Sequence, residues 1–204
     1  MSLVSVFLCF FVLIPTFLQA AVVSPDSTSS AIAIAAQTDP KKLSSLKGTR
    51  ASNSRLQRCV YWLAYAEEQG QEPASVLDTS ARINMTAGSP YAGFIRWGLL
   101  NNLKIAHELG LLTKDGMNEM RRGKSATITL GQFTGQEATV DHVIPLSVCP
   151  ELDNQVLNLE LLPASLNSSK KDKVGTRQVT FAKELNDAGL LSDEAFSRVK
   201  ACFK

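Results

Sequence analysis

The chain has 204 residues, a formal net charge of +2, and 45% hydrophobic against 20% charged residues. That mixture excludes wholesale disorder, collagen-like repetition and a polytopic membrane protein. With 21 Lys and Arg against 19 Asp and Glu, net charge points to neither nucleic acid nor a membrane surface, so any such case must rest on local clusters.

Residues 1–20, MSLVSVFLCFFVLIPTFLQA, form an uncharged apolar run that ends in small residues and reads as a secretory signal peptide. The expected location is secreted or periplasmic. The run lacks an N-terminal Lys or Arg and is long enough to stay as a membrane anchor if it is not cleaved. Cleavage removes Cys9 and leaves Cys59, Cys149 and Cys202. They form either one disulfide and a free thiol, in any of three pairings, or three small buried hydrophobes. No CxxC pair suggests structural zinc.

Residues 21–52, rich in Ala, Ser and Thr with a basic end, read as a flexible linker. A single folded unit is expected over 53–204, with a helical part at 53–120, a central core at 138–173 and closing helices at 178–203. Leu56, Cys59, Val60, Leu63 and Ala64 recur at helical spacing up to Gly70. A second helix is predicted from Tyr91 to Leu109 with Gly110 as its cap, followed by a turn through Asp115 and Gly116. His107, near the end of that helix, reads as a surface residue suited to the helix dipole. Two short helices, Gln178–Ala188 and Ser192–Ala201, close the chain.

The informative stretch is 138–173, ATVDHVIPLSVCPELDNQVLNLELLPASLNSSKKDK. Ala138 to Leu146 has the β-branched content of a strand and meets Pro145. A loop follows, and then Val156 to Leu162, where leucines alternate with Asn158 and Glu160 as in a half-buried strand. Pro163 starts a short helix bearing Asn167, Lys170 and Lys171. Adjacent residues on a regular strand face opposite ways, so a site using both Asp141 and His142 requires the strand to end, twist or bulge there.

The segments V-D-H-V-I-P-L, N-L-E-L-L-P-A and L-N-S-S-K-K-D-K resemble the HNH endonuclease family over roughly 35 of 204 residues. The resemblance implies an α+β fold in which a ββα-metal nuclease motif packs with N-terminal and C-terminal helices. His142 takes the family's first histidine position, Asn158 the middle asparagine, and Asn167 the last position, where histidine is commoner. This His-Asn-Asn form looks like the nuclease domain that cuts the guide-paired strand in CRISPR effectors.

What the resemblance implies is metal-dependent hydrolysis of phosphodiester bonds in DNA, with RNA also open. His142 is the expected general base, because imidazole titrates near neutral pH. Asp141 and Asn167 are the expected ligands of one divalent ion, magnesium on ligand hardness, with manganese accepted by the same oxygens. Asn158 is expected to bond backbone across the hairpin rather than to ligate. Lys170, Lys171, Lys173 and Arg177 are the expected phosphate contacts, a better group than Arg121, Arg122 and Lys124. No aromatics interleave these cations, so binding should be salt-sensitive with little sequence preference. No stable membrane association is expected after signal cleavage.

Two sequons, Asn84-Met85-Thr86 and Asn167-Ser168-Ser169, fit the N-glycosylation pattern. A glycan on Asn167 would abolish the metal site, so that match is read as accidental. The rivals from other classes are a non-catalytic exported module that binds nucleic acid or metal on the same scaffold, and a structural protein stabilised by metal without cutting.

Overall fold

The computed structural model describes residues 25–44 and 50–203. The expected signal peptide lies outside them. Where a flexible linker is expected, the structure has a helix α1 (Pro25–Thr38) and a short α2 (Pro40–Ser44). Ala31, Ile34, Ala35 and Thr38 share one face at helical spacing, and all four are buried. They pack on α3 (Arg50–Glu68) and α4 (Pro73–Ile83). Asn84 closes this junction by donating to Ala35 O at 3.1 Å and to Thr38 Oγ1 at 3.2 Å, so its sequon amide is engaged. No helix of the described residues is long and apolar enough to cross a membrane.

The predicted stripe of α3 is buried from Leu56 to Ala64, and the helix contacts α1, α4, β-structure and two later helices. Helix α5 (Pro90–Glu108) begins at a Ser89 cap and stops before Gly110. There φ is +65°, and a Cβ would lie 2.3 Å from Thr129 Oγ1, so only glycine suits. The expected turn at 115–116 is instead inside α6 (Lys114–Arg121), whose first turn is capped by Thr113. Gly116 is needed for packing, because a Cβ would sit 2.0 Å from Leu111 O.

Three antiparallel strands, β1 (Ala126–Thr127), β2 (Glu137–His142) and β3 (Leu159–Pro163), lie in that order. β2 is shorter than predicted and ends at His142, three residues before Pro145. The second predicted strand begins as a 3₁₀ turn, Val156–Asn158. It is not half-buried: Asn158 and Glu160 are as inaccessible as the leucines. Asn102 of α5 satisfies the backbone of β3 by donating to Leu159 O (3.1 Å) and accepting from Leu161 N (2.8 Å). Helices α7 (Ala164–Lys170), α8 (Thr176–Asp187) and α9 (Asp193–Ala201) complete a mostly helical α+β fold. Phe181 of α8 packs on Phe94 and Trp97 of α5, and Arg198 of α9 pairs with Glu151 in the loop after β2.

The described cysteines are all unpaired, with Cys59 and Cys149 buried and Cys202 exposed. Burial pushes the thiols of Cys59 and Cys149 up to about 12, with Glu151 adding to the effect at Cys149. A thiol reagent at pH 8 should therefore modify Cys202 rapidly and the two buried thiols only on unfolding, as mass mapping of the labelled peptides would show. Because the folded values are raised above the ordinary thiol value of about 8.5, this contribution to stability is complete below that pH. It is lost as pH rises toward about 12.

Candidate active site

Asn158 is fully buried, and its side chain acts as one more rung of the β2–β3 ladder. The regular register ends at the His142–Leu159 pair. Beyond it Val143 N donates to Asn158 O at 2.7 Å. The Asn158 side chain then receives Ile144 N on Oδ1 at 2.9 Å and donates from Nδ2 to Ile144 O at 3.1 Å. An amide carries one acceptor and one donor group in peptide-like geometry, so it can satisfy both main-chain groups of one residue. The chain leaving His142 is fixed by this contact after the strand has ended.

Asp141 and His142 leave β2 in different directions, as neighbours on a strand must. The His142 side chain, 11% exposed, turns to the loop, where Nε2 lies 3.0 Å from Asp153 O. A carbonyl oxygen only accepts, so Nε2 carries the proton, and in the neutral ring Nδ1 holds the lone pair. Asp153 Oδ1 is buried without a hydrogen-bond partner among the described residues and lies 3.5 Å from the same Nε2. It supplies a charge partner for an imidazolium.

Asp141 points to α7. Thr139, two residues earlier on β2, donates to Leu162 O (3.1 Å) and accepts from Asn167 Nδ2 (3.0 Å). One turn along α7, Lys170 Nζ reaches Asp141 Oδ2 at 2.7 Å, Glu160 Oε1 at 3.3 Å and the main-chain O of His142. Arg177 Nη2 takes Glu160 Oε2 at 2.5 Å. Of the four expected phosphate contacts, Lys170 is directed inward onto Asp141 and Glu160, and Arg177 pairs with the buried Glu160 while its own side chain stays about half exposed. Lys171 and Lys173 are exposed. Sequence reasoning also missed Glu160, whose only signal was its place directly opposite Asp141 in a pairing not yet known.

Asn167 lines a polar cleft of about 900 Å³ shared with Gln57, Asp115, Glu119, Lys124, Glu137 and Thr139. Three carboxylates against one lysine make it a poor path for a polyanion. His107 is remote from these contacts in function: its Nε2 pairs with Glu67 of α3 at 2.7 Å, with both side chains about half exposed.

No group of three or more His, Cys, Asp and Glu among the described residues is placed to hold a metal ion. Asp141 and Asn167 nevertheless offer a carboxylate and an amide oxygen from β2 and from the helix fastened to the same strand. The Asn167 amide oxygen has no hydrogen bond among the described residues, because its contact to Thr139 uses the nitrogen. Magnesium takes one or two protein carboxylates and fills the rest of its shell with water and phosphate, so the chemistry of these two donors suits a hard divalent cation, while Lys170 holds Asp141 Oδ2 at 2.7 Å.

No family model, no curated protein and no solved structure matches the chain.

Proposed function

We propose that this protein is a metal-dependent endonuclease of the HNH type, hydrolysing phosphodiester bonds in DNA or RNA on a ββα-metal motif formed by β2, β3 and α7. The observation that supports the reading is the His142 contact to Asp153 O, which takes Nε2 as a donor and leaves Nδ1 as the nitrogen that would act as the base. In this reading Nδ1 accepts a proton from the attacking water, and the charge that appears on the ring faces the Asp153 carboxylate. Asn158 holds the His142 segment, Asp141 and Asn167 would hold the divalent ion, and Lys171 and Lys173 bind the phosphate backbone. Magnesium or manganese held there supplies stabilisation of the charge developing on the phosphate and leaving oxygen. Export through the N-terminal apolar run belongs to the same proposal.

One observation favours the second reading, a non-catalytic binding module: Asp141 is already neutralised by Lys170. Plasmid, linear duplex, single-stranded DNA and RNA incubated at low salt with magnesium, manganese or excess chelator separate the two. Cleavage of at least one substrate that stops with chelator is expected. Binding without cleavage of any of them would support the module instead.

A further inference from the structure

The ion cluster under α7 carries an inference that rests on the nuclease reading above. Asp141 and Glu160 stand directly opposite each other on β2 and β3, and like charges so placed oppose pairing unless a cation lies between them. Lys170 Nζ is that cation, held by Asp141, Glu160 and the His142 carbonyl with its side chain only 15% exposed. Arg177 takes the other Glu160 oxygen. Two carboxylates and two cations balance, so Asp141, the proposed anionic ligand, is neutralised beforehand.

We propose that Lys170 is the resting cation of Asp141, a positioning residue that keeps the carboxylate in place and must withdraw before a divalent ion can use it. An ammonium and a divalent ion sharing one carboxylate in a half-buried site repel strongly. Withdrawal is structurally simple, because Lys170 is the last residue of α7, Lys171 departs from helical geometry at φ +48°, and the lysine stem is flexible. The released ammonium then joins Lys171 and Lys173 on the side from which phosphate approaches. Lys170 thus changes from internal partner to phosphate contact as the metal enters.

The test is calorimetric titration of the full-length protein and its variants with Mn²⁺. Lys170→Met keeps the stem and removes the charge, and it should bind Mn²⁺ at least about tenfold more tightly than wild type. Lys170→Arg should stay near wild type, and adding Asp141→Asn to Lys170→Met should abolish the gain. Binding by folded Lys170→Met that is equal to or weaker than wild type overturns the role of Lys170 and leaves the nuclease reading standing. Absence of Mn²⁺ binding in every variant overturns both. If circular dichroism shows Lys170→Met unfolded, wild-type protein with ¹⁵N-labelled lysine decides the matter. Saturating Mg²⁺ should move the Lys170 ammonium resonance to the position of solvated lysines, and an unchanged resonance overturns the proposal.

Discussion

Asn158→Ala is expected to be the most destabilising single substitution at the site. It removes the partners of Ile144 N and Ile144 O together, in a place with no access to solvent. Each buried main-chain group left unsatisfied costs about 1–3 kcal/mol, so the loss of two should be about 2–6 kcal/mol. Against a typical total of roughly 5–15 kcal/mol this is a large fraction. Asn158→Asp should be no milder, because a carboxylate cannot donate to Ile144 O and brings an unpaired buried charge. Urea denaturation checks both variants through the midpoint. A shift in Asn158→Ala worth less than about 1 kcal/mol would mean that water or a local rearrangement replaces the amide.

His142→Ala should act in the opposite way, on rate rather than on folding. The ring is at the end of β2, and its hydrogen bond to the scaffold among the described residues is the one to Asp153 O, so loss of that contact should cost on the order of 1 kcal/mol. With His142 in the proposed role of general base, its removal should lower single-turnover cleavage by about 10²–10⁴-fold. Added imidazole should restore part of the loss, since the space left by the ring adjoins a carbonyl and a carboxylate that can orient a free imidazole. A variant that melts with the wild type yet keeps its full rate would remove His142 from the mechanism.

The α+β class and the positions of most helices were legible because their signals are local. Ser89 and Gly110 bracket α5, Ser192 caps α9, and the apolar spacing of α3 is regular. Helix α1 was not, because Ala, Ser and Thr also compose flexible linkers, and the face made by Ala31, Ile34 and Ala35 finds its cover in α3 and α4, which lie elsewhere in the sequence. Gly116 misled in the same way: it suggests a turn by identity, while its actual constraint is a carbonyl pressed against it.

Within the candidate site, the order of the strand, strand and helix could be read from β-branched content, alternation and proline. The direction of the charged side chains could not. Lys170 is a helix-surface cation by sequence, and only the opposed Asp141 and Glu160 draw it inward. Asn102 gave no local sign of its role, because the strand atoms it satisfies belong to residues 57 and 59 positions later in the chain. Polar residues that complete a backbone edge acquire their meaning from tertiary partners, and periodicity carries no record of them.

The most direct test of the account is single-turnover cleavage of the preferred nucleic acid by wild-type protein and by His142→Ala, with magnesium and with excess chelator. Cleavage by the wild type is expected to need magnesium and to fall by about 10²–10⁴-fold in the variant. Cleavage that persists in chelator, or that is equal in the two proteins, would contradict it.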